Sequence, residues 1–172
     1  EGLEGVQDVG VSEARSELGG DAGQAEPPLA LVVEDEPHLA RLLARSLEGE
    51  GFRVELAEGG PEASRLLRTR AHEAVLLVTE RILPDGSEGM SLLRHGRALA
   101  PYLQGMVLDR KVRAGIPQER LREIREASRI PSDVPLLVSP LDPAAFLAEV
   151  RARVPRPTDD EEKPSDGGGI LH

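Results

Sequence analysis

The chain has 172 residues, a net charge of −10, no cysteine, and only 2% aromatic residues among its 39% hydrophobic ones. That length supports one domain with tails, and the composition requires a core of Leu, Val, Ile and Ala. Disulfide frameworks, thiolate catalysis and Cys-ligated zinc are excluded; with no signal-peptide pattern and no apolar run of the roughly 18–20 residues that span a bilayer, a soluble cytoplasmic protein is expected.

Residues 1–26 hold seven acids against Arg15 and few apolar side chains. Such a segment buries too little surface to offset the entropy of ordering, so it is expected to be a disordered acidic tail. Leu29-Ala30-Leu31-Val32-Val33 is a short apolar run suited to a strand buried on both faces. It stops at Glu34-Asp35-Glu36, and Pro37 then opens a helix with Leu39, Leu42, Leu43 and Leu47 at helical spacing up to Gly49–Gly51. Phe52, Val54 and Leu56 alternate with Arg53 and Glu55 as a second strand, and a helix runs from Pro61 to Arg70. The third strand, Ala74 to Val78, leads into Thr79-Glu80, and a turn follows at Pro84-Asp85-Gly86. A helix is predicted from about Gly89 to Leu99, and a fourth strand from Gln104 to Leu108, ending at Asp109. Leu121, Ile124 and Ala127 give helical spacing over 117–129, Val134 to Val138 reads as a fifth strand, and Pro143 starts a last helix to about Val154. Residues 155–172 form a second acidic tail, expected to be disordered, which leaves a domain over 27–154 that is nearly neutral.

Five strands alternating with five helices imply an α/β fold, a doubly wound parallel sheet with helices on both faces. The functional crevice of such a sheet lies at the carboxyl ends of its strands. Three strand ends terminate in acids: Glu34-Asp35, Glu80 and Asp109. A nearly neutral domain predicts no direct nucleic-acid binding, its many Arg residues being read as solvated helix faces, with a basic patch on one face of the core as the open alternative. His38, His72, His95 and His172 lack ligand spacing, and neither a phosphate-cradling Gly-rich loop nor a Gly-x-Ser-x-Gly elbow occurs.

Leu31-Val32-Val33-Glu34-Asp35-Glu36-Pro37, Gly51-Phe52-Arg53-Val54 and Leu83-Pro84-Asp85-Gly86 resemble bacterial response-regulator receiver domains. Ser139-Pro140-Leu141-Asp142-Pro143 resembles that family's Lys-Pro-Phe-Asp-Pro stretch. The resemblance implies a flavodoxin-like (CheY-like) five-stranded sheet of order 2-1-3-4-5. It also implies roles. Glu34 and Asp35 match the acid pair that holds a divalent cation, and Glu80 falls at the phosphoacceptor aspartate. Asp109 takes the Ser/Thr position, Ser139 the Lys position, and Leu136 the switch-aromatic position.

A glutamate at the acceptor is one methylene too long, and phosphoryl transfer depends on positioning. Asp109 replaces a hydroxyl donor with a negative charge, and Ser139 removes a cation. The expected chain is therefore an atypical pseudo-receiver, not an enzyme, that works by phosphorylation-independent protein–protein interaction in a two-component-type pathway. Its protein partner, or a second copy, is expected at about residues 117–154, with no membrane involved.

Alternatives stay open at this level. One is a metal-dependent phosphoacceptor switching at Glu80 or Asp85; another is a constitutive phospho-mimic through Glu80; a third is a small-molecule pocket. No cofactor is required, but Glu34, Asp35 and Glu80 form a candidate Mg²⁺ site. Mutual repulsion of these acids would be relieved by the metal, by Arg81, Arg110 or Lys111, or by water. Either a stand-alone receiver or a piece of a larger regulator suits the short stretch after the last helix.

Overall fold

A computed structural model describes residues 25–155. The expectations for the acidic tails fall almost wholly on 1–24 and 156–172, outside the described residues. Five strands and five helices alternate: β1 Leu29–Val33, α1 Pro37–Gly49, β2 Arg53–Ala57, α2 Gly60–Arg70, β3 Ala74–Glu80, α3 Gly89–Leu99, β4 Gln104–Arg113, α4 Gln118–Ala127, β5 Leu136–Ser139 and α5 Pro143–Arg153. All strand pairs are parallel, in the order β2-β1-β3-β4-β5. This is the doubly wound arrangement that the alternation and the resemblance anticipate.

Successive strand side chains point to opposite faces, and the core divides accordingly. On one face Leu31, Val33, Leu77 and Val107 pack with Ala63 and Leu67 of α2 and with Leu92 and Leu93 of α3. On the other, Ala30, Val32, Leu76, Val78, Met106 and Leu108 pack with Leu43 and Leu47 of α1 and with Phe146 and Val150 of α5. All five residues of β1 are buried, as its unbroken apolar run requires. Helix α4 carries no buried residue; Leu121 and Ile124 are only half-buried. The stripe that would serve as core in an ordinary amphipathic helix is thus partly open to solvent.

Helix starts follow their local chemistry. Glu36 caps α1 by accepting from the His38 and Leu39 amides at 3.0 and 2.6 Å, with Pro37 at the first position. Asp142 caps α5 through the Ala144 amide at 3.0 Å. Arg129, with φ of 53°, turns the chain out of α4.

Two strands differ from the sequence expectation. β5 begins at Leu136 rather than Val134, because the Val134 amide is spent on a turn to the Pro131 carbonyl and Pro135 has no amide to donate. β4 does not end at Asp109 but runs on to Arg113. Its pairing with β5 passes from Asp109↔Val138 directly to Arg113↔Ser139. Arg110, Lys111 and Val112 therefore bulge out of the ladder, and the Ala114 amide closes the bulge on the Ser139 carbonyl at 2.8 Å.

Candidate functional site

The sheet register brings the strand-end acids together. Val33 of β1 pairs with Thr79 of β3, so the next residues, Glu34 and Glu80, stand level at the carboxyl edge. Glu80 in turn pairs with Leu108 of β4, which puts Asp109 level with Arg81. Alternation then sorts these groups by face. Glu34, Glu80 and Arg110 share the parity of Val32, Val78 and Leu108, on the side of α1 and α5; Arg81 and Asp109 share that of Thr79 and Val107.

Two separate ion clusters result. In the first, the Arg110 guanidinium donates to Asp35 Oδ1 at 2.7 Å and lies 3.4 Å from Glu34 Oε1 and 3.6 Å from Glu80 Oε2. The Arg110 backbone amide also donates to Glu80 Oε1, at 3.2 Å. Glu34 Oε1 accepts from the Glu36 amide at 2.9 Å, which ties the pocket to the start of α1. In the second cluster, Arg81 Nε donates to Asp109 Oδ2, and its Nη1 reaches Ser128 Oγ at 3.3 Å, just beyond α4. Asp109 Oδ1 accepts from the Lys111 amide at 3.0 Å.

Burial makes these contacts consequential. Glu34, Glu80 and Asp109 are 2%, 4% and 2% exposed, whereas the Arg110 side chain keeps 37% of its surface in water. Burial pushes the Glu34 carboxyl up to about 7; the Glu36 amide and the Arg110 charge oppose the rise, and Glu80 and Asp35 add to it. Glu80 is raised as well, first by burial, against the Arg110 amide and charge. For Arg110, partial burial works against its charge, but Glu34, Glu80 and Asp35 outweigh it and hold it above its ordinary range. Two buried oxygens, Glu34 Oε2 and Glu80 Oε2, have no hydrogen-bond partner.

The remaining sequence-selected residues lie around this centre. Asp85 is exposed and held below the usual carboxylate range, first by the Ser87 amide at 2.9 Å. It also accepts from the Gly60 amide at 3.1 Å, so it fastens the start of α2. Ser139 is half-buried at the end of β5, and Leu136, at the strand's start, packs against the α2–α3 side of the core. Of the basic residues that the sequence offers for charge relief, Arg110 serves the Glu34–Asp35–Glu80 group and Arg81 serves Asp109; the Lys111 side chain is exposed and its amide does the work. His38, His72 and His95 are exposed, and His172 lies outside the described residues.

Glu34, Asp35 and Glu80, the acids that the sequence offers as a Mg²⁺ site, surround a side-chain cation. Arg110 already sits among the three acids, and among the described residues no group of three or more Asp, Glu or His side chains converges as a metal site. Beside Arg110 opens a cavity of about 290 Å³, lined by Leu39 and Leu42 of α1 and by Leu137, Pro140 and Leu141. Among the described residues no helix is long and apolar enough to cross a membrane.

Known proteins place this arrangement in context. No family model matches the chain. The transcriptional regulatory protein TcrA of Mycobacterium tuberculosis is 40% identical over 86 residues, which are 46% of this chain and 33% of that protein. GlrR of Escherichia coli is 34% identical over 83 residues, 48% of this chain and 18% of that protein. The chain thus spans a third or less of the length of these two relatives. Among solved structures, a response regulator receiver protein from Sinorhizobium medicae superposes with a TM-score of 0.63 at 20% identity, covering 74% of this chain and 94% of that one. The receiver domain of the hybrid histidine kinase CckA gives 0.56 at 24% identity, covering 73% and 97%. The described residues therefore share the fold of those receiver domains, the CheY-like doubly wound sheet of order 2-1-3-4-5.

Proposed function

We propose that this chain is an atypical receiver module that acts without phosphorylation, as a cytoplasmic protein–protein binding element of a bacterial two-component-type pathway. The observation that carries the reading is the Arg81–Asp109 pair. At the position where a receiver presents a hydroxyl to an incoming phosphoryl group, this chain has a buried carboxylate committed to its own arginine. A phosphoryl group there would meet negative charge rather than a donor, and Ser139 supplies no compensating cation at the end of β5. Positioning and charge neutralisation are the whole of catalysis in phosphoryl transfer, so both deficits act directly on the reaction. The module is accordingly a binding element rather than an enzyme. Its partner, or a second copy, is assigned to residues 117–154, which include the half-open stripe of α4. Intact mass after incubation with acetyl phosphate and Mg²⁺ tests the reading: an unchanged mass is expected, and addition of a phosphoryl group at Glu80 or Asp85 would overturn it.

A second reading has a specific observation in its favour. A phospho-mimic needs a cationic partner for its charge, and Arg110 meets Glu80 through both its amide and its guanidinium. In that reading Glu80→Ala abolishes partner binding; in the first it leaves binding intact.

A further inference from the structure

We propose that the Arg110 guanidinium is the resident cation of the acidic pocket, seated among Glu34, Asp35 and Glu80 where a divalent ion would otherwise bind, so that the pocket is closed without metal. Three independent features carry this. The first is backbone: three unpaired residues of β4 between Asp109↔Val138 and Arg113↔Ser139 turn the chain so that Arg110 faces the β1–β3 acids. The second is the seat itself, with all three acids within 2.7 to 3.6 Å of guanidinium nitrogens. The third is the division of labour, since Asp109 has Arg81 and makes no demand on Arg110.

A metal ion and the guanidinium exclude each other here. Both are positive, both need the same carboxylates, and in a partly buried site their repulsion is weakly screened. Glu34 Oε2 and Glu80 Oε2, both buried and without a hydrogen bond, are the oxygens a divalent ion would use once the guanidinium, now 3.6 Å from Glu80 Oε2, is gone. Loss of the Arg110 charge should therefore create a metal site rather than merely weaken the fold. The inference does not depend on how the module meets its partner.

The test is Mn²⁺ binding by electron paramagnetic resonance on the full chain, for wild type, Arg110→Gln and Arg110→Lys. Wild type and Arg110→Lys should bind weakly and alike, and Arg110→Gln should bind at least about tenfold more tightly, the smallest effect expected from deleting a like charge ~4 Å away. Tight binding by wild type would overturn the proposal, as would equal affinity of wild type and a folded Arg110→Gln. Should Arg110→Gln fail to fold, the comparison passes to Arg110→Gln combined with Glu80→Gln, which removes one carboxylate along with the cation. That pair should still bind Mn²⁺ better than Glu80→Gln alone, and equality would overturn the proposal.

Discussion

Arg110 holds Glu80 twice: its backbone amide donates to Oε1 at 3.2 Å, while its Nε stands 3.6 Å from Oε2. A side chain alone could swing away, but the amide is fixed by the bulged path of β4, so the backbone holds the root of Arg110 beside Glu80 while the guanidinium supplies the charge. The carboxyl end of β3 is thereby linked to β4 by an ion pair as well as by the sheet ladder.

The pH dependence of stability follows from Glu34. Its carboxyl, ordinarily near 4.5, is pushed up to about 7 in the folded protein. Between those values the folded state keeps a proton that the unfolded state has released, so stability falls as pH rises through the window and levels off above it. At about 1.4 kcal/mol per pH unit the ceiling on that loss is about 3 kcal/mol. Glu34→Gln cannot ionise and should lack this contribution. Denaturant unfolding at about pH 5 and about pH 8 should show wild type losing ground to the variant; a difference independent of pH would refute the assignment.

Arg81→Met leaves the buried Asp109 without its ion partner, and loss of one member of a buried pair costs more than loss of both. Arg81 is itself 24% exposed, which places the expected destabilisation at about 2 kcal/mol, below the range for fully buried pairs. Adding Asp109→Asn should recover part of it. A double variant no more stable than Arg81→Met would show that the pair is not the source of the loss.

Gly89, at the start of α3, sets how closely that helix approaches Glu80 at the end of β3. A Cβ there would fall 2.3 Å from the Glu80 carbonyl oxygen and 2.7 Å from Thr79 Cγ2. Because the nearest atom is backbone, Gly89→Ala should cost about 1–3 kcal/mol and displace the end of β3. Backbone amide NMR should register the change at Glu80 and Arg110; unchanged shifts at both would mean that α3 moves instead.

The α4 surface should separate binding from folding. Glu119, Arg122 and Glu126 are exposed on a helix with no buried residue. Reversing their charges together should move stability by no more than about 0.5 kcal/mol per site. If residues 117–154 meet the partner, the same variant should lose the interaction while its unfolding curve stays in place. Retained binding would direct attention to other faces.

Much of the fold was legible because its signals are local. The unbroken run of β1 announces a doubly buried strand, the leucines of α1 repeat at helical spacing, and Pro37, Pro61 and Pro143 sit where helix starts tolerate them. The acids at the sheet edge were also legible, since each ends an apolar run. The extension of β4 was not: Arg110-Lys111-Val112-Arg113 is as polar as a loop, and its pairing is made by β5, far along the chain. The start of β5 was misplaced for a related reason, because Val134 and Pro135 are buried and apolar without joining the ladder as its first residues.

By itself the sequence determined the order of elements, the apolar faces that pack against the sheet, and the placement of four carboxylates just after the apolar runs of β1, β3 and β4. Periodicity and strand polarity carry that information along one dimension. Only the tertiary structure decided which base serves which acid. Arg81, Arg110 and Lys111 were equivalent candidates in the sequence, and strand register with the β4 bulge assigned Arg110 to Glu34, Asp35 and Glu80 and Arg81 to Asp109. The assignment depends on distances of a few ångströms between residues of different strands, and no local pattern encodes those distances.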